Sequence, residues 1–395
     1  MKKGILFLSR WFPYPINNGS KLRIHNLLNG LAKYHNVTLL SFADQPDASP
    51  EAPELQSICS EVHVIPWQEF DPNSRNARLG FLGSKPRFLA DTHSVEMEKK
   101  IRSLISRNKY DLVIASQLSM ASYHENFGDL PAIFEEIELG LFHDRAVYAD
   151  SYFRRLRLGL TWFKLREYLS RLLDYFRHCT VVSERERRLF TDHFPEHGGK
   201  VSAIPNCVNV EEYEKLSVEP IPNQLIFSGP FRYLVNYEAM QWFVGEVFPR
   251  VLEQVPDARL LITGDNTGLT LPPVPNVTMT GYVGNIKSLL ASSWISIAPL
   301  LNGGGTRLKI LEAMAVGTPV IATSKGAEGL DAVPDEHLLI ADTPEVFADQ
   351  VIRTLRDRDT RDRLSINGKH LVKEKYNWET MMPRFLQLVE DAVHV

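Results

Sequence analysis

The chain has 395 residues, 44% of them hydrophobic and 23% charged, a composition that excludes disordered, fibrous and helical-membrane classes. That length passes the ~250–300 residues at which a single core stops growing, so two domains are expected. Lys and Arg total 44 against 48 Asp and Glu, a net charge of −4, which excludes a uniformly basic nucleic-acid binder. Three cysteines, Cys59, Cys179 and Cys207, form no Cys-x-x-Cys, so neither a disulfide framework nor a zinc site is supported and a reducing, cytoplasmic compartment is expected.

Lys2 and Lys3 precede only Ile5 to Leu8 before Ser9 and Arg10, too short for a signal-peptide core or a spanning helix, and the run reads as a buried strand. A loop rich in Pro and Asn follows, then a helical period through Leu22, Leu27, Leu28 and Leu31, then a second strand over Val37–Phe42. This is a βαβ unit. The pattern recurs with strands at 62–65, 112–115, 132–134, 180–183 and 201–204, a helix at 94–108 and a long helical region from Asp144 to Phe176. Pro205–Asn209 and the aperiodic tract through Pro220–Pro222 read as an interdomain connection. Alternation restarts with strands at 224–228, 259–264, 277–279, 295–298, 319–322 and 338–340, and helices at 236–255, 285–292 and 307–316. Two doubly wound parallel sheets are predicted, with ligand loops at the carboxyl ends of their strands and a cleft between two facing domains.

The sharpest local feature is Asn302-Gly-Gly-Gly-Thr-Arg-Leu-Lys-Ile-Leu-Glu-Ala-Met-Ala-Val-Gly-Thr-Pro319. Glycines 303–305 let backbone approach a ligand closely, and the helix that follows offers unpaired N–H groups to a diphosphate. Arg307 in its first turn is adverse to the helix dipole unless an anion is near, while the Glu312 carboxylate can accept both hydroxyls of a ribose. The bland alternative, a tight strand-to-helix turn with a solvated Arg307 and Glu312, stands beside it on spacing alone. No Gly-x-Gly-x-x-Gly follows the first strand and no Gly-Lys-Ser/Thr closes the glycine loop, which weakens dinucleotide and P-loop readings. Gly19 closes the first strand-to-helix loop; Tyr282 and Val283 follow a strand and can seat a base. The only Asp-x-Asp, Asp357 and Asp359, lies in a charged helical tract and reads as a solvated face, and no metal site is predicted. The stretch 153–171 holds six basic residues (Arg154, Arg155, Arg157, Lys164, Arg166, Arg171) against Glu167, with Phe153, Trp162, Phe163 and Tyr168 interleaved. It reads either as a basic outer helix face or as a contact for an anionic membrane.

These pieces resemble family 4 of the retaining, nucleotide-sugar-dependent glycosyltransferases over nearly the whole chain. The resemblance rests on the Pro15–Gly19 loop, Ser183-Glu184, Ile204–Val208, Phe227-Ser-Gly229, Ile262-Thr-Gly264, Gly281-Tyr-Val283 and above all Gly303 to Pro319. It implies the GT-B fold of two Rossmann-like domains facing across a cleft: an acceptor-side domain over 1–205, a donor-binding domain over 206–375, and a terminal helix over 376–395 packing back on the first. In the family a Glu-x7-Glu pair brackets the glycine segment; Glu312 matches the second carboxylate, while Gly304 stands where the first would be. The Arg and Lys that relatives place after the strand at 225–228 have no clean match in Gly229-Pro-Phe-Arg232, so Arg307, with Lys309 behind it, is the candidate cation. The acceptor-side histidine of relatives has candidates in Gln117, Glu138 and His143.

The resemblance thus implies a cytoplasmic transferase, acting without metal or cofactor. It would move a sugar from UDP, or GDP, to a glycan, lipid-linked or small-molecule hydroxyl with retention, in cell-envelope polysaccharide or glycoconjugate synthesis. Arg307, Glu138 and His143 are the expected catalytic residues. Gly19, Gly229, Arg232, Gly264, Tyr282, Val283, Gly303, Gly304, Gly305, Thr306, Arg307, Leu308 and Glu312 are the expected donor contacts. A non-hydrolysing UDP-sugar epimerase and a non-catalytic nucleotide-sugar-binding partner are the alternatives.

Overall fold

The computed structural model describes residues 2–45, 48–148, 151–216, 218–303 and 307–394. The chain divides into two units, Met1–Pro205 with Met382–Val395, and Asn206–Met381.

The first unit is a seven-stranded sheet in the order β3-β2-β1-β4-β5-β6-β7. Its strands are β1 (Gly4–Ser9), β2 (Asn36–Ala43), β3 (Glu61–Pro66), β4 (Leu112–Ser116), β5 (Ala132–Ile137), β6 (His178–Val181) and β7 (Val201–Ala203). Every pairing is parallel, with Ile5 opposite Val37 on one side and Leu112 on the other. Helices cover both faces of such a sheet, which is why β1, β2 and β4 are almost unbroken apolar runs. The terminal helix Trp378–His394 contributes most of its length to this unit: a Cβ on Gly30 would lie 2.1 Å from Met382 Sδ, Lys3 Nζ pairs with Glu390 at 2.6 Å, and Arg177 donates to the Ala392 carbonyl at 3.2 Å.

The second unit is a six-stranded parallel sheet in the order β10-β9-β8-β11-β12-β13. Its strands are β8 (Ile221–Ser228), β9 (Arg259–Thr263), β10 (Val277–Gly281), β11 (Ser293–Ala298), β12 (Val320–Ala322) and β13 (Leu339–Ile340). Successive residues serve opposite faces: Leu225, Phe227, Ile295 and Ile297 enter one core, and Ile226, Ala298, Val320 and Ala322 the other. Strand order reverses between β1 and β4 in the first sheet and between β8 and β11 in the second, so ligand crevices belong beyond the carboxyl ends of those strands.

Several boundaries differ from expectation. β8 starts at Ile221, inside the tract read as a connection. β5 runs past Phe134 through Glu135 and Glu136 to Ile137, because these carboxylates find buried partners. The long helical region expected from Asp144 to Phe176 holds, among the described residues, the helices Gly140–Val147 and Tyr152–Leu172. The helix expected over 236–255 is interrupted by a π-turn at Phe243–Val247. Asp357 is the N-cap of Arg358–Lys375, accepting from Asp359 N, and not part of a solvated helix face.

Candidate functional site

In the second unit three loops converge beyond β8, β9 and β11. A Cβ on Gly264 would lie 2.7 Å from the Gly229 carbonyl carbon and from Pro230 N, so the loops after β8 and β9 meet backbone to backbone. Gly303 adopts φ +92°, and a Cβ there would sit 2.7 Å from Tyr233 Oη. Substitution at Gly303 is therefore opposed by both conformation and space. Gly304, Gly305 and Thr306 lie outside the described residues.

Arg307 is the N-cap of the Leu308–Val316 helix rather than a member of its first turn. Its guanidinium is buried and donates through Nη2 to the carbonyls of Gly303 (3.0 Å) and Lys325 (2.9 Å). These bonds tie Gly303 to the segment after β12.

Lys309 lies two residues further along, in the first turn of the same helix. Its Nζ donates to Asn236 Oδ1 at 2.9 Å, lies 4.1 Å from the Phe227 ring centroid, and would be 3.0 Å from a Cβ on Gly229. Among the described residues no carboxylate is within ion-pair distance of it, and burial, reinforced by Arg307, pushes the ammonium down to about 7. Glu312 follows on the same helix. Its Oε1 accepts from Tyr213 Oη at 3.2 Å, and burial raises its carboxyl against the opposing pull of Tyr213, Lys287 and Lys309. Both side chains still touch solvent although protein surrounds them. Among the described residues neither group has an ion-pair partner within 4 Å, although Glu312 and Lys309 feel each other's charge and Glu312 also feels Lys287.

Of the other expected donor contacts, Leu308 opens the helix, Tyr282 is exposed and Val283 half-buried. Arg232 pairs at the surface with Asp265 (3.2 Å) rather than joining Lys309. Among the described residues no group of three His, Cys, Asp or Glu could hold a metal.

In the first unit Asn18 caps the Gly19–Ala32 helix, so Gly19 is its first residue. Arg23 of that helix is buried against Glu135 (Nε–Oε1 2.6 Å) and donates to the Ile204 carbonyl at 2.8 Å; Glu135 also accepts from Ser116 Oγ at 2.6 Å. Beside this network Gln117 and Glu136 both hold left-handed backbone, φ +69° and +60°, and Gln117 Nε2 donates to Glu136 Oε2 at 2.8 Å. Such conformations cost ~1–3 kcal/mol each and gather at functional sites. Burial, then the neighbouring Glu135, pushes the Glu136 carboxyl up to about 8.

Glu138 reaches solvent, and desolvation followed by Glu186 raises its carboxyl. The Glu186 carboxylate itself is committed to the backbone N–H groups of Leu139 and Gly140. His143 packs against Trp162 (5.6 Å) and His193 (5.7 Å), and its Nδ1 lies 3.2 Å from Asp144, whose carboxylate takes both bonds from Arg185 at 2.8 Å. The ring is built into local packing. Sequence reasoning passed over the Arg23–Glu135 network and Glu136; their signal was two consecutive carboxylates closing an otherwise apolar strand.

Two all-parallel Rossmann-like sheets, with a glycine loop and helix N-terminus at the switch point of the second, define the GT-B class of glycosyltransferases. Residues 222–357 match the family model "Glycosyl transferases group 1" and residues 17–212 match "Glycosyltransferase Family 4"; the chain belongs to these glycosyltransferases. It is 24% identical over 393 residues to an "uncharacterized 44.6 kDa protein in cps region" of Klebsiella pneumoniae, covering 94% of this chain and 96% of that one. It is 27% identical over 206 residues to a phosphatidyl-myo-inositol mannosyltransferase of Mycobacterium leprae, covering 49% of this chain and 54% of that one. Among solved structures, Anabaena HepE in complex with UDP and glucose shares the fold at TM-score 0.65 and 14% identity, covering 98% and 100% of the two chains.

Proposed function

We propose that this glycosyltransferase moves a sugar from a nucleoside diphosphate, UDP foremost, to an acceptor hydroxyl with retention, in the synthesis of an envelope polysaccharide or glycoconjugate. The observation that carries the reading is the Lys309 ammonium, buried and without an ion-pair partner among the described residues, one turn before Glu312 on the same helix. A buried cation needs an anion, and a diphosphate at the start of the Leu308–Val316 helix meets that ammonium and the positive end of the helix together. Glu312 then accepts the ribose hydroxyls, with the loop at Tyr282 and Val283 beside the base.

The leaving diphosphate gains charge in the transition state, so Lys309 and the helix end stabilise it more than they stabilise the bound donor. No metal is needed for this in our reading. UDP is supported by the likeness to the UDP-bound Anabaena protein, and the envelope role by the relative in a cps region. The buried free cysteines are in keeping with a cytoplasmic site of action.

One feature favours a second reading. Gly304 replaces a carboxylate that relatives direct at the sugar, as expected of a nucleotide-sugar-binding partner without turnover. Calorimetry with UDP and GDP, followed by UDP-sugar turnover assays with polyprenyl-linked and glycan acceptors, separates these readings. Acceptor-dependent UDP release supports transfer. Sugar isomerisation without release would make the protein an epimerase, and binding without turnover a partner subunit.

A further inference from the structure

The Tyr152–Leu172 helix of the first unit is apolar on two opposite faces. Leu165, Leu169 and Leu172 are buried, and each follows by nine residues one of Leu156, Leu160 and Phe163. Nine residues at 100° each make half a turn, so the latter three lie diametrically opposite the core face. Tyr152 extends their line by one turn toward the N-terminus, and all four are 52% to 77% exposed. Glu167 ends the stripe one turn past Phe163.

A second apolar segment is tied to the same helix. Lys164, the residue after Phe163, donates to the carbonyls of Gly80, Phe81 and Gly83, pinning the 79–83 segment to the helix. That loop exposes Leu79, Phe81 and, at 91%, Leu82. A groove of about 590 Å³ runs between Ala146, Val147, Leu156, Gly159 and Phe163. An apolar surface of this extent is not left to water without a use.

The charges say what covers it. Arg155 and Arg166, eleven residues apart, line one flank of the stripe, and Arg157 lines the other. Among the described residues no carboxylate pairs with Arg155, Arg157 or Arg166. A second copy of the helix would set these arginines against their own kind, whereas phosphate headgroups on both sides of inserted apolar side chains satisfy them. We propose that this face, the helix stripe together with the 79–83 loop, docks on an anionic lipid surface, with Tyr152, Leu156, Leu160, Phe163 and Leu82 entering the acyl boundary. The binding is peripheral: among the described residues no helix is long and apolar enough to cross a membrane. It does not depend on the donor assignment above.

Co-sedimentation of the full chain with vesicles of equimolar phosphatidylglycerol and phosphatidylcholine, against phosphatidylcholine alone, tests it. The protein should pellet with the anionic vesicles at low salt and leave them as salt rises. Each positive charge removed should lower partitioning about fivefold, so Arg155→Glu with Arg157→Glu should lower it by at least about 25-fold. Leu156→Asp with Phe163→Asp should abolish binding, and circular dichroism should show both variants folded. The proposal is overturned if wild type does not pellet, or if both folded variants pellet as wild type does. It is also overturned if light scattering shows a dimer that Leu156→Asp dissociates without any change in vesicle binding. UDP calorimetry on the same samples reports separately on the donor reading: pelleting without UDP affinity sinks that reading and leaves this one standing.

Discussion

Replacing Lys309 by Met should weaken nucleotide binding and stabilise the free protein at once. Losing a charged hydrogen-bond donor to phosphate costs about 1.5–3 kcal/mol, or about 10- to 150-fold in Kd. In the free protein the ammonium is a liability. Its fall from 10.5 to about 7 corresponds to ~5 kcal/mol of unfavourable burial. Residual solvent contact reduces that figure, and the variant forfeits the bond to Asn236, about 1 kcal/mol. A net gain of ~1–3 kcal/mol remains, or roughly 2–10 °C in the Tm of a unit this size.

The sign follows from proton counts. Between pH 7 and 10.5 the unfolded chain holds the Lys309 proton and the native chain does not, so this contribution to wild-type stability improves as pH rises through that window. The Met advantage should accordingly be largest at or below pH 7 and fade towards pH 10. Wild-type UDP affinity should fall above pH 7, while the Met variant stays flat. Calorimetry in two buffers of different ionisation enthalpy should show proton uptake on binding by wild type only. A folded Lys309→Met protein with unchanged UDP affinity, or with a lowered Tm, would refute the assignment of Lys309 to the diphosphate.

Glu312→Gln should weaken UDP binding by about 1–3 kcal/mol by calorimetry with little loss of stability, since among the described residues only Tyr213 bonds the carboxylate. Glu136→Gln should raise Tm more at pH 8 than at pH 5: the native carboxyl holds its proton up to about 8 while the unfolded one releases it near 4.5, so wild-type stability falls as pH climbs through that window. An equal Tm difference at both pH values would contradict the desolvation argument. Turnover should persist in EDTA; its loss, with recovery on adding Mg²⁺ or Mn²⁺, would mean that the diphosphate is neutralised by a metal and not by Lys309.

The alternation of strands and helices was legible because parallel strands buried on both faces must be written as apolar runs, and Ile5–Leu8, Leu112–Ala115 and Ile295–Ala298 are such runs. Strand ends were legible only where apolarity ended with them. β5 carries two carboxylates into the core, and a hydropathy pattern cannot register that Arg23, distant in sequence by 112 positions, waits there for Glu135. The helix Tyr152–Leu172 failed in the opposite sense: its two apolar faces cancel, so no single outward face can be read from the pattern.

The candidate donor site divides in the same way. The glycine loop and Glu312 announce themselves locally, since close backbone approach and a carboxylate on an otherwise apolar helix are properties of neighbouring residues. Which cation serves the site is not a local property. Arg307 and Lys309 are two residues apart, and both lie near the helix start. Tertiary structure separates them: among the described residues Arg307 Nη2 is held by the carbonyls of Gly303 and Lys325, while Lys309 Nζ is held by Asn236 Oδ1 beside the Phe227 ring. Arg307 thereby ties Gly303 to the segment after β12, and Lys309 is the cation that our reading gives to the anion. That difference is why Lys309, weaker than Arg307 as a sequence signal, is the stronger candidate in the fold.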